Sequence, residues 1–162
     1  MIKTYNTDAQ VPDSAGTITA IMSGQKTRMG VVGVAANVAR DDCAAALANP
    51  LPSLAELAEA RGLKTGSVST ARITHATPAG SYAHAANRNW EDSASLPPEA
   101  KAAGCKDIAQ QLLDTPHGDG PDVILGGGRA HFLPDSVVDP EHSKKTGKRD
   151  DGRNLIEKWL QS

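Results

Sequence analysis

Asp13-Ser14-Ala15, preceded by Pro12 and followed by Gly16-Thr17-Ile18-Thr19-Ala20-Ile21-Met22-Ser23-Gly24, places one hydroxyl where an extended segment turns into a helix. Backbone N–H groups without intrahelical partners meet the positive end of the helix dipole there, which suits an anion such as phosphate. A serine at that point can cap the helix, bind a phosphate or attack one, and capping is the simplest reading because Ser is a leading N-cap type. Two familiar patterns do not fit. A nucleophile elbow needs Gly two positions before the serine, and Pro12 stands there. Ser23-Gly24-Gln25-Lys26-Thr27 hints at a P-loop, but Gln25 separates Gly from Lys. A Ser-His-acid assembly has His75, His84 and several Asp to draw on, with no spacing that singles one out.

Three further groups could do chemistry. His75 and Thr77 alternate before an expected helix, so both can point the same way; a histidine and a hard hydroxyl oxygen can enter a metal shell. The plainer alternative is a surface histidine beside a capping threonine. Arg88 can fork onto a phosphate, although a cation near a helix C-terminus is expected in any case. Gly126-Gly127-Gly128-Arg129 can cradle an anion or simply make a tight turn.

The elements that must hold these residues follow from periodicity and punctuation. A helix is expected over 14–24, a strand or extended edge over 30–34, and a helix over 53–62 with Ser53 as cap, Glu56 completing a capping box and Gly62 as stop. A strand is expected over 67–70. Thr77 then reads as N-cap and Pro78 as first helical residue of a helix reaching about Arg88. Residues 91–103 read as loop or short helix, Cys105–Asp114 as an amphipathic helix, and 122–125 as a buried strand stopped at Gly126. Residues 134–152 read as loop and 153–160 as a last short helix. Alternating helices and strands predict an α/β layered fold with a mainly parallel sheet, in which ligands sit beyond the carboxyl ends of the strands. Ser14, His75-Thr77 and Gly126–Arg129 fall at such junctions.

With 162 residues the chain suits one domain, and its net charge of −2 gives no pull toward nucleic acid or a membrane surface. No apolar run approaches the ~20 residues of a membrane span, and the N-terminal residues lack the sections of a signal peptide. Only five residues are Phe, Trp or Tyr, so a core here buries little area per residue. Composition leaves Cys43 and Cys105 open as a disulfide or as two buried thiols.

The order of these signals resembles the alkaline phosphatase family. The resemblance is carried by Lys3-Thr4-Tyr5-Asn6, Val11-Pro12-Asp13-Ser14-Ala15, Gly24-Gln25-Lys26-Thr27, the run Ser69 through His84, Asn87-Arg88-Asn89-Trp90, Gly104 through Ala109, and Asp122 through Arg129. It covers essentially the whole chain. It implies part of a three-layer fold with a mainly parallel central sheet, and phosphomonoester hydrolysis through a phosphoserine intermediate at a site with two zinc ions and one magnesium. Ser14 matches the serine that is phosphorylated and neighbours one zinc, Arg88 the arginine that grips two phosphate oxygens, and Thr77 the hydroxyl ligand of the magnesium. His75, near the magnesium, stands where certain bacterial members carry Asp; the His form resembles the animal-type branch. Cys43 and Cys105 match a disulfide pair of that branch, which would imply an oxidising compartment.

The resemblance also implies an internal segment. The family draws further ligands from an Asp-Gly strand end upstream and from later His and Asp segments, and no such motif stands in this sequence. The expectation is one partial domain over 1–162, from a parent that is periplasmic or secreted, acts on phosphate monoesters and, as is common in the family, forms a homodimer. By itself the chain is expected to bind zinc weakly and to hydrolyse at background rate. The alternative is a non-catalytic α/β remnant or an anion-binding module.

Overall fold

A computed structural model describes residues 2–116, 118 and 120–161. Its first helix, α1 (Ser14–Ser23), has the expected bounds but a different cap. Asp13 is the N-cap and accepts from the Gly16 amide, so Ser14 is the first helical residue; Gly24, at φ +74°, closes the helix by donating to the Ala20 carbonyl. Aspartate ranks with serine as an N-cap, and only one of the two adjacent residues can take the position.

Further along lie α2 (Cys43–Ala48), α3 (Leu54–Glu59), β1 (Gly66–Arg72), α4 (Ala76–Ala79), α5 (Pro98–Ala102), α6 (Ile108–Leu113), β2 (Val123–Gly127) and α7 (Leu155–Leu160), with 3-10 turns at Ser93–Ser95 and Arg129–Phe132. The Ser53/Glu56 capping box forms as expected. α2 carries no apolar periodicity that would reveal it: its six residues are Cys, Leu and four Ala, and Asp42 caps it.

Three expectations fail for identifiable reasons. Residues 30–34 form no regular strand, because Gly30 and Gly33 have φ of +81° and +63°; single bridges join Val32 to Ala85 and Val34 to Pro50 instead. The helix after His75 is only four residues long. His75 is its N-cap, Thr77 and Pro78 lie inside it, and Pro78 is tolerated there because first-turn amides have no intrahelical partner. From Gly80 the chain leaves the helix to meet the 30–34 segment: Ala85 exchanges two backbone bonds with Val32, and Arg88 donates to the Gly30 carbonyl at 2.8 Å. Finally, β2 continues through Gly126 and Gly127 rather than stopping there. A Cβ on Gly126 would lie 2.6 Å from Ile73 Cδ1, so the bare backbone lets the strand approach β1.

β1 and β2 pair in parallel, Gly66 opposite Val123 and Val68 opposite Leu125, with an irregularity before Arg72 meets Gly127. Helices around a parallel pair make this an α/β fold. The pair is not buried as expected: Val68, Val123 and Leu125 are exposed, whereas parallel sheets are ordinarily covered on both faces. The core lies elsewhere, in two clusters. One joins Ala15, Val32, Ile73, Ala76, Ala79, Tyr82 and Ile108. The other joins Val31, Val34, Val38, Cys43, Trp90 and Leu96. The short 30–34 segment feeds both, and alanines let α1 and α4 pack closely.

Cys43 and Cys105 form a disulfide across 62 positions, with Cα atoms 6.0 Å apart. Closing a loop of that length stabilises by about 4 kcal/mol in the chain-entropy model. Reduction is therefore expected to shift denaturant unfolding by about that amount, read as a difference in midpoint with and without reductant. An unchanged midpoint would refute it.

A second device is pH-dependent. His84 Nε2 lies 2.8 Å from Glu56 Oε1, its Nδ1 lies 2.6 Å from the Gly33 carbonyl, and Glu56 also accepts from the Ser53 amide. Both ring nitrogens face acceptors, so the geometry suits the imidazolium. Burial opposes the charge on each partner, but their hydrogen bond and mutual attraction outweigh it, lowering the Glu56 pKa below 4.5 and raising that of His84 above 6.5. The raised histidine contributes stability fully present below pH 6.5 and lost as pH rises through its folded pKa. The lowered glutamate contributes stability present above 4.5 and lost as pH falls. The stability lost in Glu56→Gln should thus be greatest between those two values and shrink toward pH 9. Thermal melts across pH check it, and a difference independent of pH contradicts it.

Candidate active site

Asp13 organises the site. Its Oδ1 accepts from the Gly16 amide and from Asn6 Nδ2, both at 3.0 Å; its Oδ2 accepts from the Gly30 amide at 3.0 Å and from Arg88 Nη1 at 3.1 Å. Burial raises its pKa, and the bonds from Gly16, Asn6 and Arg88 more than offset that, leaving the carboxyl below its ordinary 3.8. One carboxylate thus starts α1, whose first residue is Ser14, and anchors the guanidinium of Arg88.

Arg88 reaches a second partner. Its Nη2 donates to His75 Nε2 at 3.0 Å. Arginine only donates, so His75 Nε2 is unprotonated and the ring is a neutral imidazole carrying its proton on Nδ1. Burial, then the charges of Arg88 and Arg72, hold the His75 pKa below 6.5. These two bonds leave Arg88 its Nε–H and one N–H on each terminal nitrogen, a fork suited to two anionic oxygens.

Behind this row, Glu91 braces the carboxyl end of β1. It accepts from Arg72 Nε and Nη2 at 2.9 and 2.8 Å and from Thr74 Oγ1 at 2.6 Å. Burial pushes its carboxyl up, and the bonds from Arg72 and Thr74 pull it further down. α4 then presents Thr77 on the surface, two residues past His75. A Cβ on Gly80 would lie 2.6 Å from the Ile18 side chain, so a glycine there lets α4 and α1 meet.

The residues singled out by sequence are therefore gathered unequally. Ser14, Arg88 and His75 are linked through Asp13 by bonded neighbours, and Thr77 adjoins them along the chain. Gly126–Arg129 serves other ends: Arg129 pairs with Asp139 and Glu141. No histidine serves Ser14 as a base among the described residues. His75 faces Arg88, His84 faces Glu56, and His131 faces Asp92 at 2.7 Å. Sequence reasoning misses Asp13 as cap and arginine partner, although an aspartate just before a helix start is a signal for it. It also misses Asn6 and Glu91, whose roles depend on contacts that sequence spacing does not reveal.

Metal fit follows from the donor set. Among the described residues no group of three His, Cys, Asp or Glu side chains is arranged to hold a metal ion. Tetrahedral zinc takes about four ligands, so these residues do not by themselves complete a zinc cage. Ser14 and Thr77 offer single hydroxyl oxygens.

Comparison with known proteins is consistent over the whole length. Residues 1–162 match the family described as alkaline phosphatase. The chain is 46% identical over 164 residues to the tissue-nonspecific isozyme of alkaline phosphatase from Gallus gallus, covering 98% of this chain and 31% of that protein. Among solved structures, alkaline phosphatase from the Antarctic bacterium TAB5 superposes with a TM-score of 0.68 at 28% identity, covering 99% of this chain and 35% of that one. A histidine-to-aspartate variant of the same enzyme, with Mg bound in its M3 site, gives a TM-score of 0.64 at 29% identity over 96% of this chain and 33% of that one. The chain thus spans about a third of the length of the relatives it matches. With Ser14 at the head of α1 and Arg88 on its capping carboxylate, this chain belongs to the alkaline phosphatase family.

Proposed function

We propose that these residues carry the nucleophile and the phosphate-gripping arginine of a phosphomonoesterase, as one part of a single phosphatase domain. The observation that supports this reading is the shared carboxylate: Asp13 caps α1, whose first residue is Ser14, and the same carboxylate pairs with Arg88.

A phosphate monoester would lie against the N-terminal turn of α1, where first-turn amides favour its negative charge. Arg88 would hold two of its non-bridging oxygens through the donors that Asp13 and His75 leave free. Ser14 Oγ gives its proton to water as it attacks phosphorus, the bond from phosphorus to the alcohol oxygen breaks, and that oxygen takes a proton back from water. Water then attacks the phosphoserine, the bond from phosphorus to Oγ breaks, and Ser14 recovers its proton as inorganic phosphate leaves. Because Ser14 is not the cap, no helix-start hydrogen bond competes for its hydroxyl.

Two zinc ions and one magnesium would belong to this reading as cofactors, with Ser14 as one zinc ligand and Thr77 as one magnesium ligand. Bound there, they would supply charge neutralisation and a more acidic hydroxyl. Most of their ligands would come from outside these residues. The disulfide favours an oxidising compartment, so a periplasmic or secreted parent is the fitting location. Acid-quenched turnover followed by peptide mapping tests the reading: phosphate on Ser14 is expected, and phosphate elsewhere or nowhere refutes it.

A further inference from the structure

We propose that Asn6 is a positioning residue for Arg88, acting through the Asp13 carboxylate. The inference rests on the phosphatase reading above and deepens it. Asn6 does not reach Arg88. Its Nδ2 donates to Asp13 Oδ1, while Arg88 sits on Oδ2 of the same carboxylate. The identity of the donating atom follows from chemistry: an ionised carboxylate only accepts, so the amide nitrogen must face it.

Four features make this contact a built one. Asn6 is 3% exposed, unusual for an asparagine. Its backbone is fixed by reciprocal bonds with Ala9, 3.0 and 3.3 Å long, so the amide is aimed from a rigid base. Gly16 leaves room for it, since a Cβ at that position would lie 2.3 Å from Asn6 Oδ1. The strap on either side is tied to the end of the α1 region: Thr7 donates to the Thr27 carbonyl, and Lys26 Nζ donates to the carbonyls of Lys3 and Tyr5 while lying 4.0 Å from the Tyr5 ring centroid.

The consequence concerns direction. A carboxylate offers about four lone-pair sites, and Asp13 uses four donors, two on each oxygen. Gly16 and Gly30 are backbone donors and cannot adjust. Asn6 completes the set on Oδ1, which fixes the carboxylate plane and with it the one remaining direction from which Arg88 approaches Oδ2. Loss of the amide leaves the carboxylate on one rigid backbone donor per oxygen, free to tilt about the line between its two oxygens, and lets the guanidinium fork drift from the phosphate oxygens.

The test uses the full phosphatase polypeptide that carries this sequence, with inorganic phosphate as probe. In Asn6→Ala, the Kd for phosphate should rise about five- to tenfold, with KM rising in step and kcat changing less. Asn6→Asp keeps the volume and removes the donor, and should weaken phosphate at least as much. In an Arg88→Ala background, Asn6→Ala should change the phosphate Kd by less than about twofold, because the residue it acts on is gone. A structural role alone would cost the same in both backgrounds, and that result overturns the assignment, as does an unchanged Kd in Asn6→Ala. Failure of the phosphatase reading is separable: a parent that binds phosphate but keeps its turnover in Ser14→Ala refutes that reading and leaves the Asn6–Arg88 coupling measurable. A parent that binds no phosphate refutes both.

Discussion

Ser14→Ala is expected to lower phosphate-monoester turnover by the polypeptide carrying this sequence roughly 10³-fold or more, with little change in stability. The two halves of that expectation have separate causes. On the proposed reading, removing the hydroxyl removes the atom that would form the phosphoenzyme. The fold should tolerate the change because the helix cap belongs to Asp13, and alanine is the best residue for a helix interior. Had Ser14 been the cap, the same substitution would cost about 1 kcal/mol and activity and stability would fall together. Initial rates with p-nitrophenyl phosphate, set beside thermal melts, separate the two. Turnover within tenfold of the parent would sink the nucleophile assignment.

Arg149→Met is expected to cost about 3–5 kcal/mol, enough to unfold a domain of ordinary stability. Arg149 is fully buried, with 0% exposure. It meets Asp107 in a bidentate pair at 3.0 and 2.9 Å, donates from Nε to Asp151 at 3.1 Å, and reaches the His131 carbonyl at 3.3 Å. Burial opposes its charge, but the bonds to Asp107 and Asp151 outweigh that and raise its pKa further. Methionine fills similar volume yet leaves the buried Asp107 carboxylate without its counter-charge, and that uncompensated charge dominates the cost. Asp107 also caps α6, and His131 also holds Asp92, so damage at Arg149 spreads toward the loop that follows Arg88. Chemical denaturation of the variant checks the figure; a loss below about 1 kcal/mol would show that water replaces the pair.

Part of the site is legible in the sequence. Asp13-Ser14-Ala15, Thr77 and Arg88 stand out by type and order, and the Ser53/Glu56 box is readable because a capping box is a local pattern. Less local features mislead. The 30–34 segment looks like a strand by composition, yet its glycines take positive φ and it pairs by single bridges with Ala85 and Pro50. α4 looks long, yet it ends at Gly80 because the chain must turn back to bring Arg88 to the Gly30 carbonyl. β2 looks buried, yet it is half of an exposed pair.

By itself the sequence determined the family, the start and stop of α1, the α/β class and the pairing of its two cysteines once the family was recognised. Those properties depend on residue type and on neighbours close along the chain. Only the tertiary structure decided that Asp13 rather than Ser14 caps the helix, that the same carboxylate holds Arg88 from 75 positions away, and that Asn6 closes the set. The reason is physical: a carboxylate accepts whichever donors the fold brings within about 3 Å, and no spacing in the sequence specifies which they will be.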